Sequence, residues 1–218
     1  GIIKYSIGFT NFNGVDKGGP NQAQFHYPFG EVITKGTLTD YNDWWMKKAY
    51  DPETPVSDYA NCFAPVMHLV KQNKGTMEFF GFETAKDSAY HFDATKFGLW
   101  LKDHYCLPRG VKHILEDVKT IEQDEDGIVS LNKKHKADLY IDCTGFKSML
   151  LGDALKVPFH PIKNLPNNKA WATRIPYIDR EKELRPFTNC TALENGWSWN
   201  IPLWTRMGTG YVHCDKFV

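Results

Sequence analysis

Gly196-Trp197-Ser198-Trp199-Asn200-Ile201-Pro202 is the stretch around which the chain is read. Two tryptophans at i and i+2 in an extended segment project to the same face, so the pair makes one broad aromatic wall. Ile201 adds bulk beside it. Pro202 fixes its own φ and carries no N–H, which stiffens the segment and predicts a place away from the centre of a sheet. Gly196 permits an unusual dihedral where the wall begins. On residue types alone, the pair reads as two core tryptophans of a strand.

Towards the N-terminus, Lys4 to Phe12 alternates as a strand should, with Tyr5, Ile7 and Phe9 predicted on one face and Lys4 on the other. Residues 13–22 are rich in turn formers and read as a loop. Phe25-His26-Tyr27-Pro28-Phe29-Gly30 follows, too aromatic and too interrupted by proline for an ordinary loop. Thr39 or Asp40 can cap a short helix carrying Trp44, Trp45 and Met46. Ser57 can cap another that Pro65 must bend or restart. Asp93 is a plausible N-cap for a helix over 94–105, with Phe97, Leu101 and Tyr105 at helical spacing and Pro108 and Gly110 to stop it.

The period then changes. Lys112–Glu116 and Val118–Glu122 read as strands, Asp126-Gly127 as a hairpin turn, and Ile128–Leu131 as the returning strand. Residues 138–142 read as a further strand ending at Cys143-Thr144-Gly145, and Phe146–Leu151 as the start of a helical turn. A helix, a meander and a strand ending in a glycine turn match the way flavoprotein dinucleotide-binding domains return to their sheet. The expected class is therefore mixed α/β.

Composition narrows the partners. The 218 residues are 42% hydrophobic and 14% aromatic, ordinary for a globular chain with ample length for a core. Lys+Arg and Asp+Glu balance at 26 each, which argues against nucleic acid or an anionic membrane as a partner. No apolar run approaches the roughly 20 residues of a membrane span. Five scattered cysteines without a C-x-x-C suit free thiols in a reducing cytoplasm, and the eight histidines show no metal-ligand spacing, so no metal is expected. The chain opens at Gly1 and ends at Phe217-Val218 with no closing cap, which reads as the middle of something longer.

Several stretches, taken in order, resemble the flavin-dependent tryptophan halogenases. WSWNIP matches that family's W-x-W-x-I-P, and Arg206 to Val212 is similar to its R-x-G-T-G-Y-V. Ala89 to Ala94 resembles A-Y-H-F-D-A, and Ala137 to Phe146 resembles A-D-L-x-I-D-C-[ST]-G-F. Ile3 to Phe9 is similar to the F-K-x-x-I-x-F segment, with Ile3 for the leading Phe. Tyr27-Pro28-Phe29-Gly30 resembles H-P-F-G, with Tyr27 for the His.

The resemblance implies the central portion of an FAD-dependent halogenase with a flavoprotein monooxygenase-like fold. Residues 89–152 would return to the FAD-binding sheet, and 1–88 with 153–218 would form the substrate and halogenation side. It implies reduced FAD from a separate flavin reductase, O2, and chloride or bromide, which together yield hypohalous acid. Lys4 becomes the catalytic residue, holding the oxidant by hydrogen bond or as an N-halo amine beside one carbon of an indole- or tryptophan-like ring. Phe29 would stack on that ring, with Tyr27 and Ile7 lining its pocket. Trp197, Trp199, Ile201 and Pro202 would keep ring and flavin apart while the small oxidant passes. A homo-oligomer is compatible with all of this.

The family's G-x-G-x-x-G turn is absent, and Gly14-x-x-x-Gly18-Gly19 does not replace it. The catalytic Glu and the rest of the substrate pocket would lie beyond Val218. A flavin-dependent aromatic hydroxylase and a non-catalytic remnant are the alternatives.

Overall fold

The computed structural model describes residues 1–12, 24–30, 39–55, 57–76, 78–79 and 81–217. Two compact units emerge, one of Gly1–Leu99 with Pro166–Val218 and the other of Trp100–Leu165. The loop expected over 13–22 lies outside the described residues, as do Gly14, Gly18 and Gly19.

In the first unit, β1 (Ile2–Lys4), β2 (Ser6–Thr10) and β3 (Phe25–Pro28) are followed by the helices α1 (Thr39–Tyr50), α2 (Asp58–Phe63) and α3 (Val66–Gln72). Short β4 (Glu78–Phe79) and β5 (Phe82–Glu83) pair with each other, and β6 (Ala89–His91) leads into α4 (Ala94–Leu101). Asp93 caps α4 as expected, its Oδ1 accepting from Lys96 N at 3.1 Å. Pro65 restarts the chain as α3, whose Val66, Met67, Leu69 and Val70 form one buried face. Ser57 precedes α2 in a helical conformation, and its side chain makes no capping bond.

The expected strand over 4–12 is broken at Tyr5. Its N–H bonds Pro186 O and its carbonyl accepts from Phe29 N, both at 2.8 Å, so β1 and β2 run in different sheets. Lys4 therefore does not share a strand with Ile7 and Phe9. The Tyr5 ring, fully buried, centres the core with Ala64, Val66, Met67, Leu69 and Val70. Its hydroxyl donates to Thr76 O and accepts from Thr76 N. Tyr5→Phe removes both bonds inside the core and is expected to cost about 1–3 kcal/mol in urea unfolding. An unchanged midpoint would mean that water replaces the hydroxyl.

The second unit departs most from expectation. β7 (Ile121–Asp124) and β8 (Gly127–Leu131) form the hairpin, with Asp124 Oδ1 accepting from the N–H groups of Asp126 and Gly127. Lys112–Glu116 is not a strand, and neither is the segment up to Thr120. For the segment from Asp117 to Thr120, Asn132 is the reason: its Oδ1 accepts from Lys119 N and Thr120 N, and its Nδ2 donates to Asp117 O and to the Glu116 side chain. A side-chain amide thus takes the backbone groups a ladder would need. Residues 138–142 are also not a strand, since no neighbour among the described residues pairs with them. Asp142 instead turns back on Thr144, Leu150 and Leu151 N–H groups, which open the helical turn expected at Phe146–Leu151.

The chain returns to the first unit as β9 (Lys169–Ile175), α5 (Arg180–Glu183), β10 (Phe187–Leu193), β11 (Gly196–Pro202) and β12 (Met207–His213). Six strands form one sheet in the order β3-β2-β10-β11-β12-β9, parallel only between β2 and β10. The tryptophan strand β11 is therefore central, contrary to the expectation drawn from Pro202. The proline is tolerated because pairing with β10 ends at Asn200, so Pro202 has β12 alone as a neighbour.

Candidate active site

Register decides which side chains share a face. In β11, Trp197, Trp199 and Ile201 project together, and the two indole centroids lie 6.0 Å apart at 57°. Trp199 is opposite Cys190, and Cys190 is level with Phe9 of β2, so Thr188, Cys190, Ile7 and Phe9 belong to that face. Ile7 is opposite Tyr27 and Phe9 opposite Phe25, which extends the face to the sheet edge. The opposite face carries a polar row: Gln24 Nε2 donates to Asn189 Oδ1 at 2.6 Å, and Thr209 Oγ1 to Asn200 Oδ1 at 2.8 Å.

Trp199 fits because Gly210 stands across from it. A Cβ on Gly210 would overlap the indole and the Trp171 carbonyl. Gly210→Ala is expected to push Trp199 off the face and to destabilise by about 1–3 kcal/mol, the usual cost of overpacking. Tryptophan fluorescence with thermal unfolding reads both, and unchanged values would show that the ring yields freely.

Lys4, half-buried at the end of β1, places its Nζ 5.2 Å from the centroid of the Phe29 ring. Phe29 is set there by its own N–H bond to Tyr5 O. Burial holds the Lys4 amine below the ordinary lysine range, and the nearby Cys190 thiol offsets this only in part. Burial pushes the Cys190 thiol up, against the pull of Lys4. Desolvation therefore outweighs the thiol, and more of the amine is neutral at a given pH than in a free lysine. Cys190 links the lysine to the wall, since it sits directly across from Trp199.

The structure thus brings Lys4 beside Phe29, and Ile7, Trp197, Trp199 and Ile201 onto one sheet face. Tyr27 is on that face but largely exposed, at 68%. Pro202, one residue on from Ile201, is buried in the strand end. Sequence reasoning missed Cys190, His91 with Thr188, and Gly210 as parts of this arrangement. Gly210 left a trace in the glycines of the segment after the wall, and His91 in the Ala89 to Ala94 stretch.

His91 is 5% exposed and hydrogen-bonds Thr188 Oγ1 through Nε2 at 2.9 Å. Burial and then the neighbouring Lys4 lower its pKa to about 4, the Pro202 carbonyl alone favouring the proton. A cleft of about 330 Å³ opens beside it, between Asp93, Lys96, Phe97 and Trp204.

The site is thus a desolvated lysine beside an aromatic ring, next to a sheet face that carries two tryptophans. The chain belongs to the tryptophan halogenase family, whose model matches residues 1–218. It is 29% identical to tryptophan 6-halogenase ThaL of Streptomyces albogriseolus, over 98% of this chain and 42% of that protein. It is 41% identical to tryptophan 6-halogenase SttH of Streptomyces toxytricini, over 59% of this chain and 26% of that one. The apo structure of VirX1 superposes with a TM-score of 0.87 at 40% identity, covering all of this chain and 44% of the other. The chain thus spans about two fifths of the length of ThaL and VirX1. Its fold is mixed α/β, shared with flavin-dependent halogenases.

A flavin would find only part of its binding surface in these side chains. Both α4 and α5 open on an aspartate that caps them, Asp93 and Asp179, where a phosphate would meet like charge. Among the described residues no glycine-rich turn leads into a helix. They offer an aromatic face for a flat ring and no cradle for its diphosphate. None of the helices described is long and apolar enough to cross a membrane.

Proposed function

We propose that this chain is the oxidant-holding portion of a cytoplasmic flavin-dependent halogenase acting on an indole- or tryptophan-like ring. The observation that carries the reading is the desolvated Lys4 amine over the Phe29 ring, joined through Cys190 to the face of Trp197 and Trp199. Reduced FAD, delivered by a separate reductase, would supply the two-electron chemistry that turns O2 and chloride or bromide into hypohalous acid.

The protein's part is position. Trp197, Trp199 and Ile201 form a barrier that a small oxidant can pass and an aromatic substrate cannot. Lys4 receives the oxidant in one of two ways. As an ammonium it donates a hydrogen bond to the oxygen of HOX, so that O–X cleavage leaves water once a ring proton is lost. As an amine it takes the halogen, giving N–X and water, and the ring then takes X and returns the amine. The lowered Lys4 pKa makes the second route accessible nearer neutrality. Either way the halogen is offered at one point, and regioselectivity follows from proximity. Phe29 stacks on the ring being halogenated, with Ile7 and Tyr27 beside it. Residues 1–88 and 153–218 would form most of this halogenation side, joined by β6 and Asp93, and the rest of 89–152 would return towards the flavin.

The test supplies the full-length protein with FAD, a flavin reductase, NADH, bromide or chloride, and tryptophan or other indoles. Halogenated product dependent on halide and on flavin reduction is expected. Hydroxylated product without halogen would move the assignment to a hydroxylase, and no flavin-dependent turnover with any indole would remove it.

A further inference from the structure

The ribbon that carries Lys4 is small. β1 has three residues and among the described residues pairs only with β6, Ile2 opposite His91 and Lys4 opposite Ala89. A two-stranded ribbon of this length does not hold itself in place. Backbone bonds at Tyr5 fix the end of β1. Two side-chain bonds fix the other strand. His91 Nε2 meets Thr188 Oγ1 of β10 at 2.9 Å. Just after β6, Asp93 Oδ2 accepts from Arg206, in the β11–β12 turn, also at 2.9 Å. Thr188 stands two residues before Cys190 on the same face, so the His91 bond ties the ribbon to the strand that faces Trp199.

We propose that His91 and Thr188, backed by the Asp93–Arg206 pair, are positioning residues that hold the Lys4 amine at its place over Phe29 and beside the tryptophan face. The proposal rests on Lys4 being the oxidant-holding residue for its consequence, and on geometry alone for the positioning itself. A neutral imidazole suits the task, because a cationic one would repel the lysine across a poorly solvated gap. Burial provides that neutrality. The groups that face Lys4 are then the Cys190 thiol, the His91 imidazole and the Phe29 ring.

The test uses Thr188→Val, which keeps the shape of Thr188 and removes its hydroxyl, and the double variant His91→Leu/Thr188→Val. The double variant leaves no buried nitrogen without its partner, so a loss of fold is separated from a loss of position. Lys4 is acylated with acetic anhydride across a pH series in the full-length protein, and the labelled peptide is quantified by mass spectrometry. In both variants the Lys4 profile is expected to move up towards that of an ordinary lysine. With flavin, reductase and halide present, the ratio of halogenated product to escaped hypohalous acid is expected to fall about fivefold. An unchanged Lys4 profile in a folded variant overturns the proposal. A shifted profile in a protein that makes no hypohalous acid supports the positioning and sinks the halogenase reading instead.

Discussion

Replacing Lys4 with alanine is expected to lower halogenated product by about a hundredfold or more while hypohalous acid is still formed. The reason is geometric. The oxidant would arise on the far side of the tryptophan face, and Lys4 is the amine that this face and Phe29 jointly position. Without it, the oxidant diffuses and reacts indiscriminately. Product is measured by liquid chromatography with mass spectrometry, and escaped oxidant by a trapping dye in the same reaction. Lys4→Arg separates the two routes, since a guanidinium donates hydrogen bonds yet stays charged and does not carry a halogen as the neutral amine does. Normal yield from Lys4→Ala would remove Lys4 from the mechanism. The fold is expected to survive, because Tyr5 next to it, and not Lys4, anchors the core.

Acid is expected to destabilise the first unit well before its carboxylates titrate. His26 and His91 are both held at about 4 in the folded protein, each chiefly by burial, against an ordinary 6.5. Between those values the unfolded chain binds more protons than the folded one. Stability is thus complete above pH 6.5 and is lost progressively as pH falls to 4. Each histidine contributes a slope of about 1.4 kcal/mol per pH unit at its steepest. Glu116 and Asp142, in the second unit, are held at about 2 by the donors around them, so their contribution is lost from their ordinary 4.5 and 3.8 downward, where the histidine window ends. Urea midpoints from pH 4 to 7 check this. His26→Leu is expected to remove about half of the slope, and a flat profile in the unsubstituted protein would show that both imidazoles reach water.

The shared face of the tryptophan pair was legible in the sequence because it rests on a local rule, whereas Phe29 was legible only through the family's motif. Residues i and i+2 of a strand share a face whatever the sheet, and a capping aspartate such as Asp93 needs only its own helix. The helix restart at Pro65 is equally local. The lysine was legible only through the family's motif, since a lone lysine in a strand is ordinarily a solvated side chain.

Where sequence reasoning failed, the partner was distant or the competitor was a side chain. Residues 118–120 read as the start of a strand, but Asn132 takes the Lys119 and Thr120 N–H groups. Pro202 looked unfit for a central strand, and it is central because its neighbour on one side has already ended. Tyr5 looked like one more alternating residue, and its bonds to Pro186 and Phe29 split the strand.

The sequence by itself determined the family, the aromatic wall and the candidate lysine, because motif and strand period are properties of the chain alone. Only the tertiary structure decided that Cys190 lies between Lys4 and Trp199, that Gly210 makes room for the indole, and that His91 ties the lysine's ribbon to β10. Those relations join residues roughly 10 to 190 positions apart in sequence, and strand register together with the packing of the β1–β6 ribbon against β10, neither encoded by a local pattern, sets them.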